Sequence, residues 1–510
     1  MLVHDFLTRS ARERPDKVAL VCDEHRLTYR ELDELTDQLA NTLRDRGVCR
    51  GDRVAIYLPN CTATVLAVFA TLKAGGVFVI INHTTKAEKL AYILEDCQAT
   101  CFFTDPVRMA TAARNQGRVA SLRFGIVANY DPQSGSGLPD GCYELTEAMQ
   151  GAATQSPSTK LIDRDLACLI YTSGSTGDPK GVMSDHSNMV FAAESIIRYL
   201  QNTEQDIVID VLPLSFDYGL YQLLMVFAFG GTLVLEGGFT FPAHLLRRIE
   251  QERVTGLPGV PTIFSVLLQM DLAAFDLSSL RYVTNTAASL PVSHIQAIRR
   301  KLPGVTVYSM YGLTETKRTL YLPPEQLDIR PDSVGIAIPG TEVWLEDESG
   351  RRVDLGGSGE LVVRGRHVMR GYWNNPEATA RRFRPGPLPG ETVCHTGDIF
   401  RTDEDGYFYF VGRMDDIIKC RGEKVAPKEI ENVLYALPGV VETAVVGVAD
   451  AVMGQAIKVF VVTDGNGLTA SDVLAHCRRH LEEYMMPKYV EFRSELPKTT
   501  SGKIQKLGLT

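Results

Sequence analysis

From about residue 28 to residue 310 the chain repeats one alternation: a segment with apolar residues at helical spacing, a glycine, then a short apolar run. Thr28–Arg46 places Leu32, Leu35, Leu39 and Leu43 on one helical face, and Gly47 ends it. Asp52–Leu58 then reads as a buried strand, Ala63–Lys73 as a helix, and Val77–Ile81, after Gly75-Gly76, as another strand. Strands without polar alternation must be covered on both faces, and helical crossovers supply that cover. The pattern therefore predicts an α/β lobe with parallel-rich sheets. From Gly335 to Tyr409 short strands alternate with Gly, Pro and Asp turns, which predicts a β-rich subdomain. After Gly412-Arg413 come Lys428–Ala436 (helix), Glu442–Val448 and Lys458–Thr463 (strands) and Ser471–Glu483 (helix), a small α+β domain. The expected division is a large lobe over 1–413 (β-rich over 335–413), a hinge at 414–416 and a small mobile domain over 417–510. Asp131–Gly141 and Gln155–Lys160 read as loops.

At 45% hydrophobic and 23% charged residues, the 510-residue chain can bury several cores. Basic and acidic residues balance from Arg413 onward, so the whole net charge of −9 lies on the larger lobe. That charge argues against a general nucleic-acid binder. No run approaches the ~20 apolar residues of a membrane span. The first residues lack the order of a signal peptide. Ten cysteines without a CxxC pair, Cys97 and Cys101 being the closest two, predict reduced thiols and a cytoplasmic protein.

The most informative segment is Tyr171-Thr-Ser-Gly-Ser-Thr-Gly-Asp-Pro-Lys-Gly181, which follows the apolar strand Leu166–Ile170. Glycines let backbone approach an anion closely. Successive N–H groups and the hydroxyls of Thr172, Ser173, Ser175 and Thr176 can donate to phosphate, and Lys180 adds charge. The spacing is not that of a Walker A loop.

This loop resembles the signature of the adenylate-forming superfamily, which holds acyl-CoA synthetases, adenylation domains of nonribosomal peptide synthetases and luciferases. Further matching segments follow in order: Tyr311-Gly-Leu-Thr-Glu-Thr316, Gly359-Glu-Leu361, Gly371-Tyr372, Thr396-Gly-Asp398, Gly412-Arg-Met-Asp-Asp416 and Pro497-Lys-Thr-Thr-Ser-Gly-Lys503. The resemblance implies a two-step reaction: a carboxylate attacks the α-phosphate of ATP and releases pyrophosphate, then a thiol takes the acyl group and releases AMP. It implies ATP and Mg2+ as the small-molecule requirements. On the matched positions, Thr172, Ser173, Gly174, Ser175, Thr176, Gly177 and Lys180 would cradle phosphate. Ala287, Ala288, Met310, Tyr311 and Gly312 would bind ATP or AMP, with Tyr311 stacking on the adenine. Asp398 and Arg413 would hold the ribose. Thr314 would meet the α-phosphate and Glu315 the metal. Lys503, seven residues from the end, would bridge the carboxylate and α-phosphate, and Asp415 would be the hinge.

Leu212-Pro-Leu-Ser-Phe-Asp-Tyr-Gly-Leu-Tyr-Gln222 bears on which acid is activated. Amino-acid-activating members carry Phe-Asp here, so Phe216 and Asp217 would face a substrate ammonium; alternatively Asp217 caps a helix over Tyr218–Phe227. Leu220 and Tyr221 share the face of Asp217 and would line the same pocket, with Leu220 as its floor or as ordinary core. Thr284, Thr286 and Arg318 fall at further pocket positions. Arg318 either binds a second carboxylate or balances a nearby acid. By this resemblance the chain is expected to load a short β-amino acid, such as 3-aminobutanoate, onto the phosphopantetheine of a separate acyl carrier protein, as ligases of macrolactam polyketide assembly do. A prolyl–carrier ligase and an AMP-forming CoA ligase for a small acid are the alternatives.

Overall fold

The structure is a computed structural model that describes residues 1–115, 118–131, 137–172, 179–288, 290–420, 423–450, 454–465, 467–499, 504–506 and 508–509. Two large sheets form the first lobe. One runs, edge to edge, through Ile336–Ala337, Leu320–Tyr321, Thr306–Tyr311, Tyr282–Asn285, Gly256–Gly259, Ile207–Asp210, Thr232–Leu235, Val18–Cys22 and His25–Thr28. Its middle, from Thr306–Tyr311 to Val18–Cys22, is parallel throughout. The other runs through Cys142–Glu144, Phe124–Val127, Ala99–Thr104, Arg53–Ile56, Val77–Ile80, Leu166–Thr172 and Lys180–Asp185. Only the last pair of that sheet is antiparallel.

One apolar core joins both sheets. Helices Thr62–Ala74 and Asp217–Phe229 lie in it with nearly every residue buried, which explains why neither has a polar face in sequence. The amphipathic helix Tyr29–Asp45 starts at a capping box between Thr28 and Glu31. Val18–Cys22 pairs with Thr232–Leu235, about two hundred residues away in sequence, a partner that no local pattern announces.

Five antiparallel strands, Glu342–Glu346, Ser358–Arg364, Phe383–Pro385, Thr392–Thr402 and Phe408–Arg413, build the β-rich part. A 3-10 turn at Met414–Asp416, with Asp415 exposed, leads to the last sheet. There Val440–Asp450 and Gly454–Thr463 form a ribbon longer than the sequence suggested, against helices Pro427–Tyr435 and Ala470–His480. The final helix ends three residues before the expected Glu483, because Leu481 turns to extended backbone and joins the apolar side of this small core. Among the described residues no helix is long and apolar enough to cross a membrane.

Candidate active site

Parallel sheets expose their ligand-binding loops at the carboxyl ends of their strands. Asn285 and Tyr311 end adjacent strands of the larger sheet, and Asp210 ends a third, separated from that of Asn285 by one strand. The segments that leave them carry Thr286 to Ala288, Gly312 to Arg318 and Phe216-Asp217. The β-rich sheet adds Asp398 and Arg413, which are cross-strand partners. The structure thus brings together residues spread over two hundred positions.

On one side the polar groups are matched to one another. The Tyr311 hydroxyl donates to Asp398 Oδ2 at 2.6 Å, while Arg413 Nε lies 3.8 Å from Oδ1. The Tyr311 ring is wedged between Phe400 (edge-on, 4.8 Å) and Phe410 (stacked, 6.2 Å). Burial pushes the Asp398 carboxyl above its ordinary range, and Arg413 and the Tyr311 hydroxyl pull it back. Glu360, in the Gly359–Leu361 motif that had no assigned part, accepts from the Gly397 N–H at 2.8 Å and meets His395 Nδ1 at 3.3 Å. It thereby clamps the Thr396–Asp398 turn, where Gly397 has a φ of +67°. Burial works against its ionisation, but His395 and the Gly397 N–H outweigh burial and hold its carboxyl below the usual range. Tyr372, in the other unassigned motif, donates from its hydroxyl to Glu315 Oε1 at 2.6 Å. Glu315 is buried, Thr314 half-buried. Met310 is buried and its sulfur accepts from the Tyr199 hydroxyl. Ala287 sits at φ +73°, and the Ala288 carbonyl accepts from the Asn285 side chain.

The turn from Tyr311 to Thr319 is tight. A Cβ on Gly312 would stand 1.8 Å from the Lys317 carbonyl oxygen, so only glycine fits. Lys317 itself has a φ of +57°. Thr172 and Lys180 pair across an antiparallel ladder and close the glycine-rich loop between them. Lys180 Nζ lies 5.8 Å from the Tyr372 ring. Ser173, Gly174, Ser175, Thr176 and Gly177 lie outside the described residues, as do Arg421, Gly422 and Lys503. The flanks of Lys503 are described: Lys498 and Ile504 form an isolated antiparallel bridge.

On the other side the picture differs from the sequence reading. The helix begins at Asp217, not after it. Phe216 holds the N-cap position and makes no side-chain cap bond. The capping alternative for Asp217 is therefore corrected by one residue; its carboxylate lies in the first turn, where the helix dipole favours it. Asp217 Oδ2 accepts from Arg318 Nη1 at 3.2 Å. Arg318 is 2% exposed, and its guanidinium lies 4.5 Å from the Tyr218 ring centre. Of the two readings left open for Arg318, the structure places it beside an acid. The Tyr218 hydroxyl is engaged by Thr284 at 2.7 Å, so Thr284 is committed to the protein. Leu220 is 1% exposed and sits in the main core. Gly219 is required because a Cβ there would stand 2.6 Å from the Pro213 carbonyl oxygen.

The sequence reading passed over Lys317. It is fully buried, and its Nζ lies 5.7 Å from the Tyr221 ring centre and has no hydrogen-bond partner among the described residues. The signal was available: a lysine next to an arginine in a turn bounded by buried strands. Arg318 Nε, the Tyr221 hydroxyl and Thr286 Oγ1 are likewise buried without partners.

The fold is that of a two-lobed enzyme, and it sets the residues expected to bind the nucleotide, on the larger lobe's loops, beside those expected to bind the acid. Comparison with known proteins agrees. Residues 7–373 match the AMP-binding enzyme family, and residues 429–503 match the AMP-binding enzyme C-terminal domain. A feruloyl-CoA synthase of an Amycolatopsis species is 36% identical over 98% of this chain and 96% of its own length. Among solved structures, the anthranilate CoA ligase AuaEII in complex with anthranoyl-AMP superposes with a TM-score of 0.91 at 28% identity, covering 100% of this chain and 96% of that one. ATP-bound MatB from Rhodopseudomonas palustris gives 0.89 at 31% identity, covering 100% and 98%. The chain belongs to the AMP-binding enzyme family. It is an AMP-forming acid–thiol ligase, which adenylates a carboxylic acid with ATP and passes the acyl group to a thiol. The feruloyl-CoA synthase and the anthranilate CoA ligase are CoA enzymes, so the expected kinship with carrier-loading macrolactam ligases is not carried forward.

Proposed function

We propose that this enzyme is a cytoplasmic CoA ligase for a small carboxylic acid that bears no amino group near its carboxylate. The observation that carries the reading is the Asp217–Arg318 pair. The carboxylate that would receive a substrate ammonium already has a buried cation against it, and Lys317 adds a second cation nearby. A substrate ammonium would be the third positive charge around one acid, in a setting where like charges are poorly screened. Leu220 and Tyr221, packed beneath, favour a small acid.

In the first step a carboxylate oxygen attacks the α-phosphorus and pyrophosphate leaves. Tyr311 orients the adenine, Asp398 and Arg413 the ribose, and Thr314 the α-phosphate. Thr172, Lys180 and the loop between them hold the outgoing phosphates. Among the described residues no three His, Cys, Asp or Glu side chains gather. The single carboxylate of Glu315 is what a magnesium–nucleotide site requires, since phosphates and water complete the shell. Magnesium bound there supplies positive charge to the triphosphate. Lys503 neutralises the reacting oxygens, after which rotation about Asp415 withdraws it and admits the CoA thiol. The sulfur then attacks the acyl carbonyl and AMP departs.

The test is acid-dependent ATP–pyrophosphate exchange with matched acids, butanoate against 3-aminobutanoate and proline, followed by thioester assay with CoA and with a phosphopantetheinylated carrier. The non-amino acid and CoA are expected to win. Preference for 3-aminobutanoate or proline with transfer to the carrier would return Asp217 to the amine role. Lys503→Ala is expected to lower exchange by about 10²–10³ while leaving thioester formation from supplied acyl-adenylate.

A further inference from the structure

We propose that Lys317, with Arg318 and Tyr221, is the receptor for a second anionic group on the substrate, so that the preferred acid is a short dicarboxylate. The inference rests on the ligase reading above and names its substrate class.

The argument starts from unpaired groups. Buried polar atoms in folded proteins are nearly always hydrogen-bonded, and each exception asks for a cause. Here three donors close to one another are exceptions: Lys317 Nζ, Arg318 Nε and the Tyr221 hydroxyl. All three side chains are at most 2% exposed. They are linked in space by the 5.7 Å approach of Lys317 Nζ to the Tyr221 ring and by Tyr221 standing one helical turn beyond Asp217, the partner of Arg318. Charge points the same way. Asp217 balances Arg318, and Glu315, the other acid within reach of Lys317, accepts from the Tyr372 hydroxyl and is faced by the Arg382 guanidinium. That leaves one cation over. The left-handed backbone at Lys317 is a further cost that a fold without use for this side chain would shed. A carboxylate has four acceptor sites, enough for all three donors at once.

The experiment compares intact wild-type enzyme on isosteric pairs, succinate against butanoate and glutarate against pentanoate, by pyrophosphate exchange and CoA thioester formation. The diacid should lead in kcat/KM by at least about 100-fold, because binding the monoacid leaves the buried donors unpaired. In Lys317→Met that ratio should fall close to one, through KM for the acid. A wild-type lead for the monoacids overturns the proposal whether or not the variant folds. So does a Lys317→Met loss that falls on KM for ATP or equally on both acids, which is the mark of a structural lysine. Failure of the underlying reading looks different: no CoA thioester forms with any acid in either set.

Discussion

The two sides of the site solve the problem of buried polarity differently. On the side proposed for the nucleotide each of these acids has a partner within the protein: Asp398 has Tyr311 and Arg413, Glu315 has Tyr372, and Glu360 has His395 and the Gly397 N–H. On the acyl side Asp217 and Arg318 answer each other, while Lys317, Tyr221 and Thr286 keep polar atoms unanswered. A subsite for ATP meets the same ligand whatever the acid, so it can be rigid and complete beforehand. A subsite that selects one acid gains discrimination by leaving its donors to be satisfied by that acid alone.

The largest expected effect tests the one matched pair on the acyl side. Asp217→Ala strands the buried Arg318 guanidinium and should lower stability by about 3–5 kcal/mol, read by urea unfolding with no substrate present. An unchanged midpoint would mean that Asp217 belongs to the substrate after all. Next, Tyr372→Phe removes a hydrogen bond to a charged acceptor worth about 1.5–3 kcal/mol. It should raise the Mg2+ concentration needed for half-maximal exchange and leave the acid KM unmoved; a shift confined to the acid would erase the division between the two sides. The smallest effect sharpens the contrast. Thr286→Val discards an unpaired hydroxyl, so stability should hold or rise by up to about 1 kcal/mol, while the acid KM rises. Lost stability with an unmoved KM would assign Thr286 to the fold.

The alternation of amphipathic helix and apolar strand was legible because Leu32, Leu35, Leu39 and Leu43 report one face and Gly47 reports the stop. Spatial order was not: the strand Val18–Cys22 carries nothing that names Thr232–Leu235 as its neighbour. Residues with a local motif, such as Tyr311, Asp398 and Arg413, could be placed together from sequence because each lies in a segment that resembles an adenylate-forming motif. The partner of Asp217 could not, since Arg318 stands a hundred positions away and pairing depends on how one helix start faces one turn. Lys317 escaped notice because lysine in a polar-looking turn is ordinarily solvated, and only the packing shows that it is enclosed.

For anyone redesigning this enzyme, the fit of Gly312 beneath the Lys317 carbonyl sets a rule. One short hairpin carries Tyr311, proposed to contact the adenine, at its start and the cations proposed to select the acid, Lys317 and Arg318, at its end. An exchange at 317 leaves the Asp217–Arg318 pair in place, whereas one at 318 breaks it, and transplanting the turn from a relative with another backbone path would displace Tyr311 as well. Acid preference can therefore be rewritten letter by letter, and grafting whole loops would trade selectivity against nucleotide affinity.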